Sequence, residues 1–544
     1  MQKIKRILSI FAAIFMATVC LFTFVACGVG EQETNDPKGS SNSIFYHADK
    51  PESVYVVDGR TLTNDQKVLI SSLQGIVAQD TAEIYMIRDQ NSAELLEMMK
   101  KNYPQIYFED VRSSLWDFVG NYADIFSGKY ILYNSHDQSG VTKYDQTINY
   151  ATTVAGVEGY IMVSKTMENE AKEHGFILGV DVTEGYTAES IFDAYKNELN
   201  NSILFHQTSE KWELRDYAIA SKGFCCFLDL DDGSSSDFDE EVFNWLTPNA
   251  PVFGWTESEL PYVERNSIFG NITIPADWSS NLTFYSSFEH DLAFRQISHA
   301  TVKPENDKHY MAIIMTDGDN ITWFQNTFTS TNYPYYASDC RGNFPVTWTI
   351  TPSLYYLMPD IIQEIYNTQT RNDEFICSPT GLGYINANVY DKTAFADYAK
   401  KTAEYMKNCD QDYITMIDST VDIEKLDVFS QYDAIKGGVV FEGDLYIDHG
   451  GDGAGTLHWS NGKPFIVPRD ALWSGANTIE GLAQKVNAYE SDYTSIEGYS
   501  IIVAHVWSLG ELNKVDEFVN LLDDHIKLVT VGQLLDMVTT NIAH

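Results

Sequence analysis

The chain has 544 residues, and its 36 lysines and arginines against 77 aspartates and glutamates leave a formal charge of −41. A surface that negative repels phosphate backbones and anionic membrane surfaces, which excludes nucleic acid as a partner. Hydrophobic residues at 44% and charged residues at 21% describe a folded globular protein, with length for roughly three or four domains. Aromatics reach 13%, an excess that fits either large aromatic cores or ligand-stacking surfaces.

The first 26 residues read as an export signal. Lys3, Lys5 and Arg6 form a basic start, and residues 7–26 carry no charge. The stretch closes on Phe24-Val25-Ala26-Cys27-Gly28, which resembles a bacterial lipobox with Phe24 where Leu is usual. That resemblance implies lipidation of Cys27 as the mature N-terminus. An uncleaved anchor helix would also place the rest of the chain outside the cytoplasm. The polar residues that follow, to about 50, read as a flexible tether. The expectation is therefore an extracytoplasmic, membrane-anchored lipoprotein. Five cysteines remain in the body, Cys225, Cys226, Cys340, Cys377 and Cys409. The odd number and sparse spacing imply no disulfide framework and no zinc set.

Strands at 54–57 and 84–87 flank an amphipathic helix at 64–79, a small α/β unit placed at 51–107. A second unit, 108–221, carries strands near 129–133 and 159–163 and a helix near 188–200. A third, 222–304, starts with the apolar Cys225-Cys226 strand, runs into Asp229-Leu-Asp231-Asp232-Gly233, and includes Val252-Phe-Gly-Trp255. The acidic run lacks the ligand spacing of an EF-hand. From 305 to 544 short apolar runs recur at 309–315, 346–350, 374–377, 413–417, 438–441, 464–467, 500–504 and 526–529. Helical patterns lie between most of them, at 391–408, 478–488, 511–523 and 531–540. Eight strands alternating with helices over such a length predict a (β/α)8-type barrel, irregular in detail, after a multi-part α/β N-terminal region. A doubly wound open sheet is the alternative.

In a barrel the chemistry gathers at the C-terminal ends of the strands. Those ends deliver Thr316-Asp317-Gly318-Asp319-Asn320, Trp348, Ser378 through Tyr384 and Asn386, Asp418, Glu442 with Asp444, Arg469, His505 and Trp507. Carboxylates rimmed by Trp, Tyr, Asn, Arg and His suit sugars, whose C–H faces stack on rings. Cleaving a glycosidic bond takes one carboxylic acid and one carboxylate, and crowding keeps one of them protonated. The expected catalytic residues are Asp317, Asp319 and, as the opposing acid, Glu442, with Asp418 in reserve. Asn320, Trp348, Tyr384, Asn386, Arg469, His505 and Trp507 are expected to bind sugar. Each motif also has a plain reading. Asp-Gly-Asp-Asn is a common turn composition, and Asp448-His449-Gly-Gly-Asp452-Gly-Ala-Gly455 reads as a loop. No HExxH, GxSxG or P-loop occurs, and the pattern assigns no metal and no cofactor.

These residues resemble the GxGYxYP family of inferred glycoside hydrolases. The name motif stands as Gly381-Leu-Gly383-Tyr384-Ile-Asn386-Ala387, with Asn386-Ala387 where the family has Tyr-Pro, and Thr316–Asn320 matches its acidic signature. Leu73-Gln74-Gly75, Val252-Phe-Gly-Trp255 and Asn281-Leu282 extend the likeness over nearly all of the mature chain. The resemblance implies a multi-part N-terminal region, a catalytic β/α barrel and hydrolysis of a neutral oligo- or polysaccharide. A metal-dependent carbohydrate deacetylase is a second reading, against which the chain has no HxxxH or HxxxxH pair. A non-catalytic glycan-binding lipoprotein is a third.

Overall fold

The structure is a computed structural model that describes residues 43–136, 145–228, 236–256, 258–288, 294–332, 335–442, 453–473 and 475–543. The expected signal, Cys27, the start of the tether, the acidic run 229–233, Asp444 and residues 448–452 lie outside them. The fold is mixed α/β, built on parallel sheets. Strands β1 (Ser53–Asp58), β2 (Ile84–Ile87) and β3 (Tyr107–Asp110) form a parallel sheet in the order β2-β1-β3. A second, β5-β4-β6, uses β4 (Lys129–Tyr133), β5 (Ile161–Ser164) and β6 (Ile177–Asp181). A third, β10-β9-β7-β8, uses β7 (Leu204–His206), β8 (Phe224–Cys226), β9 (Pro251–Gly254) and β10 (Ile272–Ile274). Thus β3 continues the first sheet past residue 107, and the third sheet begins with β7, ahead of residue 222. All five cysteines among the described residues are free and buried.

Parallel strands need a crossover, and that between β1 and β2 is the helix Asn64–Val77. It is nucleated by a reciprocal capping box between Thr63 and Gln66. Its Gln74 amide donates to Asn281 Oδ1 at 2.7 Å, and Asn281 in turn pairs with both backbone groups of Met86. Gly75 lets the chain at Asp216 come close, since a Cβ there would lie 2.6 Å from the Asp216 carbonyl. The Leu-Gln-Gly and Asn-Leu motifs are thus two halves of one joint between the first and third sheets.

The C-terminal sheet contains β11 (His309–Met315), β12 (Val346–Ile350), β13 (Asp373–Cys377), β14 (Tyr413–Asp418) and β15 (Gly437–Glu442). It continues with β16 (Leu457–Ser460), β17 (Lys463–Ile466), β18 (Asp470–Leu472), β19 (Tyr499–Ala504) and β20 (Ile526–Val529). The order is β16-β17-β15-β14-β13-β12-β11-β19-β18, parallel except for the β16–β17 hairpin. The sheet curls, because the helix Val531–Asn541 touches β17 in one wing, β11, and β19 in the other. No pairing among the described residues closes β17 onto β18, so the expected closed ring is an open, curled sheet. Strand β20 does not complete a ring beside β19. It pairs with the first half of β11, from His309↔Ile526 to Ala312↔Val529, while β12 meets β11 only at Ile314 and Met315. Strand β19 occupies the other edge of β11 along its whole length.

Most of these strands are buried on both faces, as expected of a parallel sheet covered on both sides. Side chains alternate between two cores. Tyr310, Ala312, Ile314, Tyr413, Val439, Phe441, Ala471, Trp473, Ile501 and Val503 face the concave side, with Leu534 and Val538 of the last helix. Met311, Ile313, Met315, Ile414, Met416, Val440, Leu472 and Ile502 face outward, toward the surrounding helices and the N-terminal sheets.

Candidate active site

At the C-terminal ends of the strands the concave face opens into a cavity of about 250 Å³. The C-terminal sheet contributes Thr316, Asp317, Asp319, Asn320, Pro379, Tyr384, Ile417, Phe441, Trp473, His505 and Trp507. The third N-terminal sheet and the segments around it contribute Trp255, Glu259, Leu260 and Pro275.

The acidic turn after β11 has a tight geometric origin. Asp317 adopts a left-handed backbone, φ 66°, which Asp tolerates better than most residues. Gly318 then presses on β12. Its N–H donates to Thr349 Oγ1 at 3.1 Å and its carbonyl accepts from Thr351 N at 2.7 Å. A Cβ on Gly318 would sit 1.8 Å from the Thr349 carbonyl oxygen, so only glycine fits. Asn320 caps the next helical turn through Trp323 N at 3.2 Å, and Ile321 N donates to the Pro275 carbonyl at 3.0 Å. The turn is thereby fixed to both the sheet and the third domain.

Asp317 accepts hydrogen bonds from the Thr316 hydroxyl and, at 2.7 Å, from Trp507 Nε1. Burial outweighs these two donors and pushes its carboxyl up to about 6. Burial pushes Asp319 well above the usual carboxylate range, and the charges of Asp317 and Glu259 push it further. Both causes favour the protonated form of Asp319 over the ionised one. His505 lies 3.8 Å from Asp317 and stacks on Trp473 with ring centres 3.6 Å apart. Burial depresses its imidazole to about 4, so at neutral pH it is an uncharged wall and not a counter-ion to Asp317. Tyr384 donates its hydroxyl to Glu259 Oε1 at 3.0 Å and stacks on Trp255 at 6.3 Å.

The family motif explains how Tyr384 reaches that position. Its backbone exchanges two hydrogen bonds with Thr273 of β10, at 2.9 and 3.1 Å. Gly383 allows the approach, because a Cβ there would lie 2.6 Å from Ile274 Cδ1 and 2.7 Å from the Thr273 carbonyl. Gly381, with φ 101°, makes the preceding turn.

Of the residues expected from sequence, Asp317, Asp319, Asn320, Tyr384, His505 and Trp507 share this cavity, and Trp507 is 51% exposed at its mouth. The others do not line it. Trp348 is fully buried on the outward face of β12, where it packs on Phe328 and Tyr336 and donates to Asp373 Oδ1 at 2.9 Å. It is a core residue and not a sugar platform. Trp348→Phe should cost ~1–3 kcal/mol, since Asp373 Oδ1 would lose its donor; denaturant unfolding checks this.

Asp418 and Glu442 are direct neighbours across β14 and β15, but the inward residues of that register are Ile417 and Phe441. One step further along, both carboxylates turn outward. Asp418 accepts from Asn388 N and Ser419 N at 2.9 Å each, and Glu442 accepts from Val421 N at 3.1 Å. They hold loops in place. Asn386 accepts from Asn388 N at 3.1 Å, a local turn bond. Arg469 precedes β18 and pairs with Glu497, its guanidinium 4.5 Å from the Tyr489 ring. Sequence reasoning missed Glu259, Leu260 and Pro275, which come from another domain, and Trp473, which follows a three-residue strand. Trp255 was visible only as part of a motif.

A larger cleft, about 710 Å³, lies at the opposite end of the sheet under the segment Gln296–Pro304. Its buried Glu374 is already occupied by Gly532 N, Thr347 Oγ1 and Thr530 Oγ1 at 2.9 to 3.1 Å. Among the described residues, no group of three or more His, Cys, Asp or Glu side chains is arranged to hold a metal ion.

Three family models match the chain. They are the "GxGYxYP_N 1st domain" over residues 53–124, the "GxGYxYP third domain" over 201–287 and the "GxGYxYP putative glycoside hydrolase C-terminal domain" over 307–539. A crystal structure of "a putative hydrolase from Bacteroides thetaiotaomicron VPI-5482" superposes with a TM-score of 0.84 at 23% identity, covering 93% of this chain and 98% of that one. At that identity the likeness shows the fold. A "putative polysaccharide deacetylase from Mycobacterium smegmatis" covers 45% of this chain and 96% of its own, with a TM-score of 0.31 at 10% identity, too low to bear on the fold. No curated protein sequence matches the chain.

Proposed function

Because the chain belongs to the GxGYxYP family, we propose that it is a glycoside hydrolase that cleaves a neutral oligo- or polysaccharide in the cavity around Asp319. The observation that carries this reading is a cavity that gathers the carboxyl groups of Asp317, Asp319 and Glu259 under an exposed tryptophan, with the Asp319 carboxyl raised by desolvation and by the charges of the other two. Asp319 delivers its proton to the glycosidic oxygen as the bond to the anomeric carbon breaks. Asp317 stays beside it as the charge that helps keep that proton in place. Trp507 stacks on a sugar face, held in orientation by its own bond to Asp317. Among the described residues the lining includes three carboxyl groups and no lysine or arginine, which favours neutral glycans over uronic or sialylated ones. Export and anchoring through a lipidated Cys27 belong to the same proposal, since an enzyme for polysaccharides meets its substrate outside the cell.

The test is reducing-end release from a panel of neutral polysaccharides by the full chain. Asp317→Asn should lower kcat/KM and move the alkaline limb of the pH profile downward. Removing the charge of Asp317 removes one of the causes that hold the Asp319 proton. An unshifted alkaline limb, or no reducing ends from any glycan with the unmodified chain, would contradict the reading.

A further inference from the structure

We infer that the second catalytic carboxylate is Glu259, supplied to the C-terminal site by the third N-terminal domain; this deepens the hydrolase reading and rests on it. Glycosidic cleavage needs a carboxylate besides the acid, and among the described residues the other strand-end carboxylates of the C-terminal sheet are tied to donors of their own. Asp418 and Glu442 face outward and hold backbone amides. Asp317 is tied to Thr316 and Trp507. Glu259 lines the same cavity as Asp319, near enough for its charge to act on it, and opens the helix Glu259–Ile268.

Its carboxylate is aimed by a dedicated device. The Tyr384 hydroxyl donates to Oε1 at 3.0 Å, the Tyr384 ring stacks on Trp255, and the Tyr384 backbone is stitched to Thr273. Tyr384 thus contacts both Trp255 and Glu259. A hydrogen bond donated to a carboxylate stabilises its ionised form, the form required opposite a protonated Asp319. Tyr384 is thus a positioning residue for Glu259.

The bond from the anomeric carbon to the leaving oxygen breaks, its electron pair stays on that oxygen, and the oxygen takes the Asp319 proton. On the opposite face a new bond forms to the anomeric carbon. Either the oxygen of a water forms it while Glu259 takes that water's proton, or Glu259 forms it and a water, deprotonated by the now ionised Asp319, then displaces the ester. In both cases the electron pair enters on the Glu259 side, and product stereochemistry separates the two.

The experiment uses the full chain and a panel of 4-nitrophenyl α- and β-D-hexopyranosides and pentopyranosides. Glu259→Gln should lower kcat by ~10²–10⁴-fold with an unchanged thermal unfolding curve. Glu259→Ala should regain rate in sodium azide and yield a glycosyl azide of inverted anomeric configuration, because azide replaces the missing oxygen on that face. Tyr384→Phe should lower kcat with KM unchanged and move the acid limb of the pH profile upward, since Glu259 loses a donor; a purely structural role would leave the limb in place. A folded Glu259→Gln within about threefold of wild type, or Glu259→Ala without azide rescue, overturns the role of Glu259 and leaves the hydrolase reading standing. Failure of the unmodified chain to hydrolyse any glycoside or glycan overturns both.

Discussion

Asp319→Asn should lower kcat/KM for an unactivated glycan by ~10²–10⁴-fold, while cleavage of a 4-nitrophenyl glycoside should lose far less in the step that expels nitrophenolate. A sugar alkoxide is too basic to leave without a proton, whereas nitrophenolate leaves unaided. The contrast between the two substrates therefore reports proton donation rather than binding or folding. The same substitution should raise thermal stability at neutral to alkaline pH. A carboxyl whose folded pKa is raised contributes stability that is fully present below its unfolded value and lost as pH rises through the folded one. For Asp317 a rise from 3.8 to about 6 corresponds to ~3 kcal/mol, and the direction for Asp319 is the same. Asn cannot ionise and avoids that loss, so unfolding scans near pH 8 should favour the variant and scans near pH 4 should not. Equal stability at both pH values, or an equal loss of rate on both substrates, would remove Asp319 from the role of acid. Stability gained where activity is lost is the usual trade at a buried active site.

Why was Asp319 legible from sequence when Glu259 was not? The strands of the C-terminal sheet announce themselves because parallel strands covered on both faces become continuous apolar runs, as in His309–Met315 and Tyr499–Ala504. Polar residues just past such a run must lie at a strand end, which is how Asp317, Asp319, His505 and Trp507 were found. The same continuity hides facing. In Tyr413–Asp418 both faces are buried almost to the end, so no polar alternation tells that Ile417 points into the cavity and Asp418 away from it. Glu442 beside Phe441, and Trp348 between Thr347 and Thr349, fail by the same single step of register. Asp317 and Asp319 escape this rule because the left-handed turn at Asp317 leaves the strand altogether.

Closure of the sheet was equally unreadable. Strand β20 pairs with the part of β11 that β12 does not reach, and no pattern within 526–529 names that partner. Glu259 lies 60 residues before Asp319 in the chain, in a different sheet region, and the Gly381–Tyr384 turn that meets it docks on β10. The Gly381–Tyr384 segment is thus a joint. Its glycines let two domains touch, and its tyrosine crosses the joint to hold a carboxylate. Just beyond this segment, Asn386 N docks on the third domain through Ser267 Oγ at 2.9 Å, and Ala387 is buried.

Gly383→Ala tests the joint itself, and its effect should be large although the added group is one methyl. The Cβ would lie 2.6 Å from Ile274 Cδ1, 2.7 Å from Ile272 Cγ2 and 2.7 Å from the Thr273 carbonyl. The two isoleucine tips can rotate, but the carbonyl is the acceptor of the Tyr384 N–H and cannot retreat without breaking that bond. Overpacking of this kind costs ~1–3 kcal/mol, and here it is relieved by separating the turn from β10. Separation carries the Tyr384 hydroxyl away from Glu259, and a displacement near 1 Å in a positioning group costs ~10²-fold in rate. The expected result is a fall of about that size in kcat, a smaller change in KM, and a lower unfolding midpoint. Gly120→Ala is the control, since nothing lies within 4 Å of a Cβ there, and it should leave both rate and stability near wild type. If Gly383→Ala destabilises the protein but keeps full kcat, Tyr384 holds the domains together without aiming Glu259. If it also slows turnover while Tyr384→Phe does so without destabilising, one residue joins the domains through its backbone and serves the chemistry through its hydroxyl.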